Sequence, residues 1–297
     1  MDQIVIGMVS PAFVFFPVWV AQDQGMFAER GIKADAAVYG ATDKVTDALR
    51  TGVAQICMVT PEGVIADAAA GGTLRLIAGN ANRAPLSLIT PERITSIADL
   101  KGKRVGTTSL KEGTAVMVQK ILAAHGLHYP GDYEFALVGA HPQRWEHLQN
   151  GTIDAGLQLL PYNFMAEDAG YNNLAEASDH VPDYAFTAVG VNGVWGEAHR
   201  DLVVRTLAAM RKAITWADAN RAQASDIIAQ HTKSKPQHAL RGLNEMLDKG
   251  VTPRDMAIAP RALEAVFSAM LETRLVPPGT ALSYAAVVDD TYLRATA

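Results

Sequence analysis

Apolar and polar positions alternate along the chain in blocks that occur twice. "IVIGMVS" (Ile4 to Ser10) and "KRVGTTS" (Lys103 to Ser109) are short apolar runs ending in a small polar turn, the pattern of a strand leaving a sheet. A helix-like segment follows each run, and these close at Gly31 and Gly126, where glycine takes the left-handed C-cap conformation. A second strand pattern comes next, "ADAAVYGA" in one block and "YEFALVGA" in the other, ending at Gly40-Ala41 and Gly139-Ala140. Each block then runs through a helix to "LRTG" or "LQNG" and on to a third strand, "VAQICMVTP" or "TIDAGLQLLP". Gly7 and Gly106, Gly40 and Gly139, Leu49 and Leu148, and Gly52 and Gly151 share one separation of 99 residues, so the blocks are an internal repeat.

Strand and helix in strict alternation predict a doubly wound parallel sheet with helices on both faces. Two copies predict an α/β protein of two Rossmann-like lobes. "LSLITPERITSIADLKGK" reads as a strand crossing to the second lobe, and "DYAFTAVGVNGVW" (Asp183 to Trp195) as the return. Residues 1–88 and 190–297 are thus assigned to lobe 1, and residues 89–189 to lobe 2. From about Arg200 onward the spacing is helical, with breaks at Pro236, Pro253, Pro260 and Pro277-Pro278, so lobe 1 carries a helical C-terminal tail. Two lobes joined by two crossing strands predict a cleft between them that closes over a ligand by hinge bending.

The apolar run "FVFFPVWVAQ" (Phe13 to Gln22) is the one stretch that invites a membrane or export reading. It is about half the length of a spanning helix, and no positive charge precedes it. It reads instead as the first helix of lobe 1, with Pro17 at the first helical position and an aromatic loop before it. Composition fits a globular chain: of 297 residues, 49% are hydrophobic and 19% charged. With 26 basic against 31 acidic residues and no basic run, nucleic acid is not an expected partner. The single cysteine, Cys57 in "VAQICMV", excludes an internal disulfide and reads as a small buried hydrophobe. The absence of HExxH or clustered His/Asp/Glu spacing, of a P-loop and of a G-x-S-x-G elbow leaves no expected metal or cofactor.

The series "FPVWVAQDQGMFAERGI", "DALRTGVAQICMVTPE", "AAAGGTLRLIAG", "IADLKGKRVGTTSLKEGTA" and "LQNGTIDAGLQLLP" resembles the solute-binding proteins of nitrate, sulfonate and taurine ABC transporters. The same broad group includes the thiamine-pyrimidine precursor proteins. The resemblance covers nearly the whole chain and implies the type II periplasmic-binding fold, a small anionic ligand, a membrane permease as partner, and a monomer. It implies a periplasmic mature protein if a signal was removed before Met1, and a cytoplasmic one if Met1 is the native start. Relatives of that group also include cytoplasmic decarboxylases and dehydratases, so a cofactor-independent lyase acting on a small aromatic carboxylate is the alternative. The iron-binding pyrimidine synthase is set aside, because its cysteine-rich motif is absent.

Candidate ligand residues lie in loops at the carboxyl ends of the predicted strands, where helix N-termini present free N–H groups. The first-strand loops offer Ser10 and, in "SLKEGTA" (Ser109 to Ala115), Ser109 and Thr114. The third-strand loops offer Thr60 and Glu62 in "TPEG", and Tyr162 and Asn163 in "LPYN". The Thr60 hydroxyl is positioned to cap the helix that follows. Thr42 and His141 occupy matching places after the second strand, and Arg144 in "HPQRWEH" adds a cation one turn on. Arg83 in "GNANRAP" suits bidentate recognition of a carboxylate. Phe13, Phe15 and Phe16 are too many aromatics for one turn to bury against its own lobe, so at least one is expected to stack on the ligand, which points to an aromatic or heteroaromatic carboxylate. His125, His128, His199, His231 and His238 are expected to be solvated. In the enzyme reading, His141 and Glu62 exchange protons with the substrate.

Overall fold

The computed structural model describes residues 1–110 and 113–296; Lys111 and Glu112 of the "SLKEGTA" loop lie outside the described residues. Contacts divide the chain into two units. Unit 1 comprises Met1–Asn82, Tyr184–Val266 and Gly279–Ala297, and unit 2 comprises Arg83–Asp183 and Phe267–Pro278. Phe267–Pro278, which the sequence reading places with the rest of the tail in lobe 1, therefore groups with unit 2.

Unit 1 begins with β1 (Asp2–Met8), a 3-10 turn (Phe13–Phe15), α1 (Phe16–Asp23), β2 (Ile32–Val38), α2 (Thr42–Thr51), β3 (Ile56–Val59), α3 (Pro61–Ala69) and β4 (Leu74–Ala81). In unit 2 follow β5 (Leu86–Thr90), β6 (Arg104–Thr107), α4 (Gly113–Ala123), β7 (Glu134–Leu137), α5 (His141–Gln149), β8 (Ala155–Leu159), α6 (Tyr162–Asp168), β9 (Asn172–Glu176) and α7 (Ala177–His180). The chain returns to unit 1 with β10 (Thr187–Asn192), then α8 (Gly193–Ala198), α9 (Arg200–Ala219), α10 (Arg221–Thr232), α11 (Pro236–Asp248) and α12 (Pro260–Glu272), whose residues from Phe267 onward group with unit 2.

Each unit is built on a five-stranded sheet, in the order β2-β1-β3-β10-β4 in one and β7-β6-β8-β5-β9 in the other. The pairs made by β1 with β2 and β3, and by β6 with β7 and β8, are parallel, as the alternation of strand and helix predicts. The fourth strand of each is antiparallel to its neighbours: β10 in unit 1 and β5 in unit 2, each the first strand after the chain passes between units.

The repeat extends to the pairing register. Gly7 faces Ala37 and Cys57, and Gly106 faces Ala136 and Gly156. Every one of these partners is displaced by the same 99 residues seen in the turn glycines. The turns agree as well: Gly40 and Gly139 have φ of 80° and 86°, and Gly52 and Gly151 have 76° and 72°, values that favour glycine.

The two copies fill the ground beneath β1 and β6 differently. A Cβ on Gly7 would stand 2.6 Å from Cys57 Sγ, whereas a Cβ on Gly156 would stand 2.7 Å from Arg144 Cδ. Gly7→Ala is therefore expected to cost about 1–3 kcal/mol through overpacking. Adding Cys57→Ala should return part of that loss, as urea denaturation of the single and double variants would read.

Helix α1 is buried from Phe16 to Ala21 and not on one face alone. Helices α9 and α10 pack against it, which explains why its polar side vanishes from the sequence. Among the described residues no helix is long and apolar enough to cross a membrane.

Candidate functional site

In unit 2 the side chains at the carboxyl ends of β6, β7 and β8 make hydrogen bonds around Thr107 and around Arg144. Thr107, fully buried at the end of β6, places Oγ1 3.4 Å from Thr114 Oγ1 in the first turn of α4 and donates to Ser109 O at 3.4 Å. Thr108 Oγ1 donates to Gly139 O at 3.2 Å and accepts from Arg144 Nη2 at 2.8 Å. Ser109 and Thr114 are half-buried.

Arg144 is the centre of this cluster. Its guanidinium also donates to Gly139 O at 3.1 Å and to Leu157 O, so one fully buried side chain ties together the ends of three strands. The stem passes over Gly106 and Gly156, where a Cβ would meet Arg144 Cγ at 3.3 Å and Cδ at 2.7 Å. The expectation that Arg144 faces an anion directly is corrected: at 0% exposure it runs inward along its own sheet.

What it supports is His141, the first residue of α5. Arg144 Nη1 lies 3.4 Å from His141 Nδ1, which also accepts the Leu159 backbone N–H at 3.2 Å. An Nδ1 that accepts leaves the proton on Nε2, so the half-buried ring is a neutral donor. Burial, and after it the Arg144 charge, pushes the His141 pKa down to about 3. With its amide oriented to suit its neighbours, Gln158 donates to His141 O at 3.2 Å and accepts from Trp145 N at 3.1 Å, fixing the first turn of α5. No side chain caps that helix, whose N-cap is Ala140.

Tyr162 and Asn163 serve the interior of unit 2. Tyr162 packs against the cluster of Ile89, Trp145, Leu148, Ile153 and Ala166. Asn163, 2% exposed, donates to Ser87 Oγ at 3.1 Å, and Ser87 in turn bonds Glu176, so Asn163 fastens α6 to β5 and β9. For Asn163 the expectation of ligand contact is replaced by this inward bonding, while Tyr162 remains half-buried. Arg83 is half-buried and makes no ion pair among the described residues.

In unit 1, Ser10 is half-buried at the end of β1, and Thr42 opens α2 with its carbonyl accepting the Thr46 hydroxyl at 3.1 Å. Thr60 is the N-cap of α3, but its hydroxyl makes no capping bond, so the predicted cap is absent. Glu62 Oε1 accepts from the Tyr184 hydroxyl at 2.9 Å. Phe13, Phe15 and Phe16 are 0%, 4% and 0% exposed: β4 and α11 of the tail cover the 3-10 turn that carries the first two, and Phe16 opens the buried stretch of α1. The expectation that one of them presents a ring to a ligand is not met. His238, expected to be solvated, is buried in α11, and His231 stacks on Trp19 at 4.7 Å while bonding Asp23 at 3.0 Å.

Cys57 matches its sequence reading: it is fully buried, and burial pushes its thiol up to about 12. Sequence reasoning passed over Thr107 and Thr108, although "GTTS" stands beside the loop it selected. It also passed over Tyr184, whose partner Glu62 is 122 residues away and leaves no local signal. Where unit 2 has Thr107, Thr108, Arg144 and Gly156, the same repeat positions in unit 1 hold Met8, Val9, Val45 and Cys57. One backbone thus carries a polar, cation-backed cluster in one copy and an apolar one in the other.

A family model described as NMT1/THI5 like matches residues 12–224. No curated protein sequence matches the chain. Among solved structures, the ligand binding component of an ABC-type import system from Staphylococcus aureus is similar at 14% identity and a TM-score of 0.83, covering 100% of this chain and 99% of that one. The alkanesulfonate-binding protein SsuA from Xanthomonas axonopodis pv. citri is similar at 19% identity and 0.77, covering 97% and 98%. The desulfurization enzyme DSZB is similar at 15% identity and 0.70, covering 100% and 99%. At these identities the likeness establishes the fold, that of periplasmic binding proteins.

Proposed function

From the premise that the chain belongs to the NMT1/THI5-like family, we propose that it is the substrate-binding component of an ABC-type import system and captures a small organic anion, a carboxylate or sulfonate. The observation that carries this reading is the neutral His141, held as an Nε2–H donor at the start of α5, whose first-turn N–H groups no side chain caps. Donors without acceptors of their own charge suit an anion, and the buried Arg144 behind them adds positive potential without spending a ligand contact. The names of two similar structures, an ABC-type import component and an alkanesulfonate-binding protein, support the same class.

The aromatic part of the sequence expectation loses its main support with the burial of the phenylalanines, so the ring is left to the assay. The lyase reading draws on the likeness to DSZB, yet two groups suited to catalysis are shifted out of the neutral range. The Cys57 thiol is pushed up to about 12 and the His141 imidazole down to about 3. Neither titrates near neutral pH, where an acid, base or thiolate nucleophile is needed.

A panel of alkanesulfonates, short carboxylates, benzoate and nicotinate, screened by thermal shift and quantified by calorimetry, tests the proposal. At least one member should bind, be recovered unchanged, and bind roughly 10- to 100-fold more weakly to His141→Ala, the worth of a hydrogen bond to a charged group. A ligand that is consumed, or one whose affinity ignores His141, would count against it.

A further inference from the structure

The dipeptide Asn-Gly occurs twice in the chain, as Asn150-Gly151 in unit 2 and Asn192-Gly193 in unit 1. The first belongs to the "LQNG" of the repeat, where unit 1 has Thr51-Gly52. An asparagine amide carbon is electrophilic and can close a five-membered ring with the backbone nitrogen of the next residue, and glycine, lacking Cβ, lets the two approach. The two pairs are held very differently.

Asn150 is the C-cap of α5, and Asn150, Gly151 and Thr152 are all exposed. The Gly151 N–H reaches Leu148 O at the long distance of 3.4 Å, so little restrains the peptide that must turn for the ring to close. Asn150 Oδ1 accepts from the Thr152 hydroxyl at 2.7 Å and from Thr152 N–H at 3.1 Å, and two donors on that oxygen favour the charge it gains when its carbon is attacked.

Asn192 is half-buried and tied at both ends of its amide. Its Oδ1 accepts from Val194 N–H at 3.1 Å and Trp195 N–H at 3.5 Å, capping α8, and from the Thr73 hydroxyl at 3.2 Å, while Nδ2 donates to Arg50 O at 3.5 Å. The Gly193 N–H donates to Thr73 O at 2.7 Å. Ring closure there breaks a short bond and removes a helix cap, each of which stabilises the fold.

We propose that Asn150-Gly151 is a site of spontaneous modification, at which the folded protein converts Asn150 to isoaspartate and aspartate while Asn192 is spared. The Gly151 nitrogen gives its proton to hydroxide and bonds to Asn150 Cγ; the Cγ–Nδ2 bond breaks, and the nitrogen leaves with a proton as ammonia. Water then opens the succinimide, giving isoaspartate when it adds at the main-chain carbonyl and aspartate when it adds at Cγ. Either product places a carboxylate at the C-terminal end of α5, the helix that carries His141 and Arg144, and there it opposes the helix dipole. Isoaspartate also lengthens the main chain between α5 and β8 by one carbon.

The full chain held at pH 8.5 and 37 °C, digested at intervals, tests this by mass spectrometry of the two peptides and by enzymatic methylation of isoaspartate. The Asn150 peptide should gain the mass of an amide-to-acid exchange at least about tenfold faster than the Asn192 peptide, the factor that one additional hydrogen bond to be broken supplies. In concentrated urea the two rates should draw together, because the structural difference is gone. Asn150→Thr, which installs the residue unit 1 uses before its turn glycine, should remove the isoaspartate signal. No conversion at Asn150, equal conversion of Asn192 in the folded protein, or a gap between the two that persists undiminished in urea would each overturn the proposal.

Discussion

Arg144→Val is expected to destabilise the protein by roughly 3–5 kcal/mol, the largest loss from any single change at the strand ends, read as a shift in the urea midpoint. The change strips a buried donor from Thr108 Oγ1, Gly139 O and Leu157 O, the last of which then lacks that bond away from water. It also empties the space above Gly106 and Gly156 that the arginine stem fills. Unit 1 shows how the same backbone is stabilised without the cation: Val45 stands at the repeat position of Arg144, and Cys57, at that of Gly156, fills the space and directs its thiol to Val45 O at 3.7 Å. Gly156→Cys alone should also destabilise, since its side chain meets Arg144 at once. Combined as Arg144→Val with Gly156→Cys, the two should cost less than their sum, because each removes what the other lacks room or filling for. Strict additivity in that cycle would show that the glycine pair and the arginine are unrelated features.

This coupling marks what the sequence made legible. The repeat was readable because its punctuation is local: a left-handed glycine at a helix end or strand end is dictated by its own φ, whatever packs nearby. From four glycine and leucine matches the register of both sheets follows, down to Gly7 over Cys57 and Gly106 over Gly156. Side-chain direction at the site was less readable, since it depends on distant partners. Phe13 and Phe15 are interior because α11, more than 200 residues on, covers their turn. Thr60 and Asn163 have the composition of ligand residues, yet one leaves its helix uncapped and the other bonds Ser87 across the sheet. His141 stands at the start of α5, but its protonation state depends on burial first and then on a guanidinium whose inward path only the absent side chains of Gly106 and Gly156 permit.

That protonation state has a measurable signature. In the unfolded chain His141 should titrate near its ordinary value of about 6.5, whereas in the fold it is held down to about 3 by burial and by Arg144. As pH falls below the upper value the unfolded chain takes up a proton that the native protein refuses. Stability contributed above that pH is therefore lost as the solution is acidified, at about 1.4 kcal/mol per pH unit until the lower value is reached. His141→Asn keeps an amide oxygen able to accept from Leu159 N–H and an amide N–H to donate, and has nothing to titrate. Between pH 6 and pH 4 its urea midpoint should fall less steeply than that of the wild type, the difference corresponding to one proton. Anion affinity of the wild type should stay level from pH 8 to pH 5, because the donating Nε2–H is present throughout. An imidazolium at the site predicts the reverse on both counts: parallel or inverted stability curves, and binding that tightens as the ring gains charge through pH 6.5.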